Sequence, residues 1–199
     1  MRGEYITEAI VLGAKPYRDS DKVVDFYTKD LGRVEGRVIS ARKILSKFSP
    51  HLNLPNLVKV RLVKKGNFTV TDVVTKDCFD RLRKNTKAFR YFLELFFLLR
   101  ALLPVGSPDL RLWHYLVKSL NKGLVDFRIF LKILGYDPIH AQCEICGDRK
   151  TAFFYIGDQS FLCNKCSVKF PEKELIYIYT LREKYVVRRT GKTNLQPPN

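Results

Sequence analysis

The chain has 199 residues, 46% of them hydrophobic, and carries 36 lysines and arginines against 20 aspartates and glutamates, a net charge of +16. That apolar content excludes a disordered chain, and the length allows one large domain or two to three small ones. The basic excess is spread along the sequence and not held in one tail, which points to a polyanion partner, nucleic acid ahead of an anionic membrane surface.

The opening residues, MRGEYITEAIVLG, contain no apolar h-region and no small-residue cleavage site, so no secretory signal is expected. Five cysteines, four of them in metal-binding spacing, suit a reducing compartment better than a disulfide framework. A cytoplasmic location follows as the expectation.

Residues 1–77 read as β structure. Glu4–Gly13 and Lys22–Thr28 are short apolar-rich runs, separated by the turn-rich break Lys15-Pro16-Tyr17-Arg18-Asp19-Ser20. In 33–40, Val34, Gly36 and Val38 alternate with Arg33, Glu35 and Arg37; in 57–63, Val58, Val60 and Leu62 alternate with Lys59 and Arg61. Lys65-Gly66-Asn67 turns the chain into Phe68–Val74. Period-two alternation describes an antiparallel sheet with one solvated face. Five short strands with one long basic connection, Ala41–Asn56, suit a small closed barrel of OB type, although an SH3-like barrel fits the periodicity too. OB barrels hold single strands by pairing a cationic groove with aromatic or apolar platforms. The candidate groove is Arg33, Arg37, Arg42, Lys43, Lys47, Lys59, Arg61, Lys64 and Lys65, where cations would replace counterions condensed on phosphates. The competing explanation is an ordinary solvated sheet face, which is weakest for Arg42, Lys43 and Lys47, clustered in a connection.

Residues 78–140 read as helical. Phe79 to Leu103 has no glycine or proline and is stopped by Pro104; Arg90, Glu94 and Arg100 interrupt its apolar run, so it is expected inside the protein and not across a membrane. Ser107-Pro108-Asp109 predicts a helix start, with Trp113 as a core residue among leucines, and Gly123 predicts its end. Leu124–Leu134 predicts a further helix ended by Gly135.

Cys143 and Cys146, then Cys163 and Cys166, form two Cys-x-x-Cys pairs separated by sixteen residues. Each such turn offers two thiolates, and four thiolates complete a tetrahedral shell, so these are the expected ligands of one structural zinc ion (Zn2+). Thr151–Ile156 and Gln159–Leu162 flank Gly157-Asp158 as a hairpin, making a zinc ribbon. His140 is excluded as a ligand because four thiolates already fill the site. From Pro171, acidic residues early and basic residues late predict a last helix, with a strand at Ile176–Thr180 as the alternative. The expected fold class is therefore α+β: an OB-fold nucleic-acid-binding domain over 1–77, a helical domain over 78–140, a four-cysteine zinc ribbon over 141–170, a C-terminal helix over 171–191 packing on the helical domain, and a disordered tail over 192–199.

Two sets of residues resemble the bacterial DNA repair protein RecO family. The first comprises Ile10–Gly13, Tyr17-Arg18-Asp19, Phe26-Tyr27-Thr28 with Gly32, and Ala41-Arg42-Lys43 with Ser46. The second runs from Phe127 through Leu134-Gly135-Tyr136-Asp137-Pro138 into Cys143-Glu144-Ile145-Cys146-Gly147. The resemblance implies a non-enzymatic recombination mediator that binds single- and double-stranded DNA and anneals complementary strands. It further implies that, with RecR, the protein helps load RecA onto gaps coated by single-stranded DNA-binding protein, near the bacterial nucleoid and away from membranes. No P-loop, metal-spaced carboxylate pair or activated nucleophile is legible, and the deaminase signature is absent. The alternatives are an RNA-binding factor of translation or transcription built from the same parts, and a zinc-dependent nuclease or hydrolase.

Overall fold

A computed structural model describes residues 3–179. Its first part is a closed five-stranded barrel of β1 (Gly3–Tyr17), β2 (Asp21–Thr28), β3 (Gly32–Val38), β4 (Leu57–Lys65) and β5 (Asn67–Asp77), in the order β1-β2-β3-β5-β4. The antiparallel order is closed by a short parallel pairing, Gly36 with Phe68 and Arg37 with Thr69. This is the OB-type barrel expected, and the alternation read from the sequence is the one observed: Val34, Val38, Val58, Val60 and Leu62 all point into the core. They meet Ala9, Val11, Val24, Phe26, Val70 and Val73 there. Gly36 also faces inward, where a Cβ would stand 3.0 Å from the Val70 side chain and 3.4 Å from Phe26, so the barrel leaves no room for a larger residue.

β1 is longer than its sequence suggests. Its first half pairs with β4 and its second half with β2, around an irregularity between Val11 and Gly13. The expected break at 15–20 shrinks to Arg18–Ser20, because Pro16 stays in the strand opposite Lys22. Proline cannot donate to a ladder and is tolerated where a strand is bonded on one side only, as this half of β1 is.

The helical part contains α1 (Asp80–Lys84), α2 (Thr86–Leu102), α3 (Leu110–Lys122) and α4 (Phe127–Ile133). The helix expected over 79–103 is thus two. Asn85 interrupts it and caps the second piece, its side-chain oxygen accepting from the Ala88 N–H at 3.1 Å. Asp109, the last residue of the expected helix start, caps α3, and Asp126 caps α4. Gly123, at φ +64°, ends α3 in the left-handed conformation that glycine adopts without strain.

The helices bury Phe92, Leu95, Phe96, Leu99, Leu112, Trp113, Leu116 and Phe130 in one core that also takes in Ile10, Leu12 and Tyr27 of the barrel. Tyr27 stacks on Trp113 with ring centroids 6.4 Å apart. Its hydroxyl donates to the Asp109 carbonyl and accepts from the Asp109 N–H, both at 3.2 Å. Trp113 is a core residue, as expected.

After α4 a small sheet forms from β6 (Thr151–Tyr155), β7 (Ser160–Cys163) and β8 (Leu175–Tyr177), in the order β7-β6-β8, with a single turn of helix, α5 (Asn164–Ser167), following β7. The helix expected from Pro171 is corrected here. Glu172–Glu174 form a 3-10 turn and Leu175–Tyr177 pair with Tyr155–Phe153. Hydrogen bonding to the free edge of β6 decides the conformation of this β-branched and aromatic run over the charge pattern. The remainder of that helix and the expected tail, residues 180–199, lie outside the described residues. None of the described helices is long and apolar enough to cross a membrane.

Candidate nucleic-acid interface and metal centre

The nine cations expected to line one groove separate into three groups. Arg33 does not face solvent: its side chain is 15% exposed and every direction of its guanidinium is used. Nε and Nη2 form a fork on the Asp25 carboxylate at 3.1 and 2.9 Å, and Nη1 donates to the carbonyls of Arg100 and Leu103 at 2.6 and 3.1 Å. A planar five-donor group suits this double duty. Arg33 therefore clamps the barrel to the C-terminal end of α2 and is withdrawn from the groove.

A second group lies on strand faces beside acids. Arg61 pairs with Glu4 at 3.0 Å, and Lys59 sits opposite Glu8 in the β1–β4 register. Glu8 in turn is held by Lys76. These faces are electrically mixed. Lys64 and Lys65 sit at the end of β4; the Lys64 ammonium lies 5.2 Å from the centre of the Phe68 ring, which meets Tyr5 edge-on at 5.9 Å.

The third group is assembled by the barrel. Asp21, at the start of β2, accepts from the Ser40 backbone N–H at 2.8 Å and from Arg37, at 2.8 Å to Nε and 2.6 Å to Nη2. The Ser40 bond, and then the Arg37 guanidinium, hold this carboxyl below the usual carboxylate range. Arg42 extends the junction: its backbone N–H donates to the Ser20 carbonyl at 2.8 Å and its Nη1 to the Arg18 carbonyl at 3.3 Å. The β1–β2 turn and the start of the β3–β4 connection are thereby tied together. Tyr17, 40% exposed, stands among the cations, with the guanidinium carbons of Arg18 and Arg37 at 5.3 and 5.5 Å from its ring centre. Lys43 and Lys47 are exposed farther along the same connection, with no acidic partner among the described residues. An aromatic face bracketed by guanidiniums combines the π surface on which a base stacks with the charge that attracts a phosphate.

Sequence reasoning missed Tyr17 and Arg18 as part of this surface. The signal was present, since an exposed tyrosine beside arginine in a turn is a platform, but only the Asp21 junction brings Arg37 and Arg42 to it.

The four cysteines come together in the ribbon, all their sulfurs lying within 4.8 Å of one another. Cys143 is 1% exposed, Cys163 and Cys166 are also buried, and Cys146 is exposed. The first knuckle is closed by Gly147 N–H donating to the Cys143 carbonyl and Cys143 N–H donating to the Asp148 carbonyl, each at 2.8 Å. Gly147, at φ +72°, makes that reversal possible. The second pair stands at the end of β7 and within α5, and Glu144 N–H to Phe161 carbonyl, 3.0 Å, joins the knuckle to β7. The Cys146 and Cys163 sulfurs are 3.7 Å apart, close to the edge of about 3.8 Å that a tetrahedron of sulfurs about 2.3 Å from a central ion would have. Burial pushes the Cys143 thiol up, but backbone N–H groups of Cys163, Cys146 and Ile145 outweigh it and bring it down to about 6. Burial and the neighbouring sulfurs push Cys166 up to about 12. Thiolates packed this closely repel one another, and a soft divalent cation removes the conflict. The donor set fits a metal ion with no open position.

Comparison with known proteins finds relatives over most of the chain. Residues 1–77 match the family model described as Recombination protein O N terminal. Over 179 residues the chain is 29% identical to DNA repair protein RecO of Thermodesulfovibrio yellowstonii, covering 83% of this chain and 71% of the relative. It is 32% identical to DNA repair protein RecO of Geobacter metallireducens over 157 residues, 71% of this chain and 62% of the relative. To DNA repair protein RecO of Caldanaerobacter subterraneus it is 26% identical over 204 residues, 90% of this chain and 81% of the relative. The resemblance read from the sequence is borne out.

Proposed function

We propose that this chain, whose first 77 residues match the N-terminal model of recombination protein O and which is similar to RecO proteins along most of its length, acts in DNA repair and recombination by binding DNA on its barrel. The observation that carries the reading is the surface in which Tyr17, Arg18, Arg37 and Arg42 converge beside Lys43 and Lys47. Cations here replace counterions on the phosphate backbone and the tyrosine ring offers a sequence-blind stacking face.

We extend this to strand annealing, assisted loading of RecA with RecR, and action on gaps coated by single-stranded DNA-binding protein. Annealing needs no acid, base or nucleophile; it needs a surface that screens two phosphate backbones from each other and lets them go. A net charge of +16 supplies the screening. Such work belongs in the bacterial cytoplasm at the nucleoid. The ion assigned to Cys143, Cys146, Cys163 and Cys166 is zinc, in a structural role: four thiolates leave it no position for a substrate.

The test is a mobility-shift and annealing series across salt, with and without RecR. Log affinity for single strands should fall against log salt by about 0.7 per phosphate neutralised, and Arg42→Glu with Lys43→Glu and Lys47→Glu should lower that slope by about 2 and weaken binding. An unchanged slope and affinity in the triple variant would remove the interface from this face. Preference for structured RNA at matched salt would favour the RNA-binding alternative.

A further inference from the structure

The β3–β4 connection carries a feature that charge does not explain. The Ser46 N–H donates to the Lys43 carbonyl at 3.0 Å, closing a tight turn whose two corner residues are Ile44 and Leu45. Corners of such turns favour glycine, proline, asparagine, aspartate and serine, which either adopt the backbone angles readily or hydrogen-bond the turn. Here two large aliphatics occupy them, and both are almost wholly in solvent, at 102% and 93% exposure. No other large hydrophobic among the described residues is as exposed.

The turn is held from both sides. Ala41 is buried in the barrel core, the Arg42 N–H is bonded to the Ser20 carbonyl, and Lys43 N–H donates to the Ser40 carbonyl at 3.2 Å. On the far side Phe48 packs against the barrel core and Leu52 is buried in it. The apolar tip thus stands on an anchored stalk, with Arg42 and Lys43 directly before it and Lys47 two residues after. Cations flanking an apolar projection match the two faces of an unpaired or frayed nucleic-acid strand: phosphates outside, unstacked bases inside.

We infer that Ile44 and Leu45 form a wedge that enters the base stack of bound DNA at a single strand or a duplex junction, while the flanking cations hold the phosphates. This rests on the DNA-binding reading and adds base contact to it. The wedge gives the barrel a way to keep bases apart from their own strand and open to a complementary one, which contact with phosphates alone does not.

The experiment uses the full chain and DNA carrying 2-aminopurine at the junction between duplex and single strand, whose fluorescence rises when the base unstacks. The native chain should raise the signal severalfold on saturation. Ile44→Ser with Leu45→Ser should abolish most of the rise and weaken binding by about tenfold, with an unchanged salt slope. Ile44→Phe with Leu45→Phe should keep the rise, since a larger apolar group still unstacks a base. Both positions are exposed, so thermal midpoints of these variants should match the native one. A native chain that binds DNA without raising the signal, or a serine variant that raises it as much, overturns the wedge and leaves DNA binding intact. Failure of the native chain to bind DNA overturns both. Binding of phosphatidylglycerol vesicles that is lost in the serine variant while the base signal persists would overturn it in favour of a membrane surface.

Discussion

The barrel and the cysteine ribbon are both small β structures built on hairpins, yet they are held in opposite ways. Thirteen apolar residues close the barrel core, and its ladder returns to its first strand without leaving an edge. In the ribbon, the buried cluster around the site is Leu162 and three cysteines, and the three-stranded sheet is open. The barrel distributes its stability over many contacts, so its surface is free to carry charge. The ribbon has only the cysteine cluster as a core of its own, and its other face borrows one, Phe154, Ile176 and Ile178 being buried among the helices.

The largest break in that comparison is removal of the proposed zinc ion. Ion binding in a four-cysteine module supplies about 10–16 kcal/mol, so Cys143→Ser or chelation should unfold the ribbon locally and lower solubility. Hydrogen exchange should show β6 and β7 losing protection while β2 and β3 keep theirs, and metal analysis of the native chain should give one zinc per chain. Loss of DNA binding in a Cys143→Ser chain that stays fully folded would count against a purely structural ribbon.

A smaller effect sits at the join between barrel and helices. Arg33→Ala leaves Asp25 mostly buried without its partner and frees two helix-end carbonyls, which should cost about 2–4 kcal/mol in denaturant unfolding. The salt slope of DNA binding should not move, because this arginine faces the protein. A changed slope would return it to the interface.

The smallest effect is acidic. The Asp21 carboxyl is held below its usual value by Ser40 and Arg37. Its bonds therefore stabilise the fold above the unfolded carboxylate value of about 3.9 and are lost as pH falls through the lower folded value. Asp21→Asn should flatten that part of the acid limb in a stability-against-pH series and loosen the turn that carries Arg42; an identical acid limb would show that Asp21 does not hold the junction.

These effects also mark what the sequence could disclose. Strand alternation in β3 and β4, the hairpin of β6 and β7 and the metal spacing are local patterns; the first and last are where the residues say, and the hairpin stands one residue away, its turn taking in Ile156 and Gln159 beside Gly157 and Asp158. Arg33 and Arg37 look alike in sequence, both outward on β3; only the side-chain bonds each makes to an aspartate of β2, and the helix end lying over one, separate a clamp from a proposed contact residue. Ile176 and Tyr177 read as well for a helix as for a strand, and the edge of β6 decides. Ile44 and Leu45, by contrast, are plain in the sequence but invisible as a feature until the Lys43–Ser46 bond shows that they sit on a turn.

The paired bonds between Tyr27 and Asp109 bear on how the protein comes to be built. Asp109 caps α3, and it is positioned by a barrel residue that also stacks on Trp113 one turn further in. Starting a helix is its costly step, and here a finished neighbour fixes the first turn. Every strand of the barrel precedes α3 in the chain, so synthesis from the N-terminus delivers the template before the segment that needs it. Tyr27→Phe should accordingly slow refolding of the helices more than that of the barrel in stopped-flow experiments with separate probes; equal slowing of both would mean that the two assemble together.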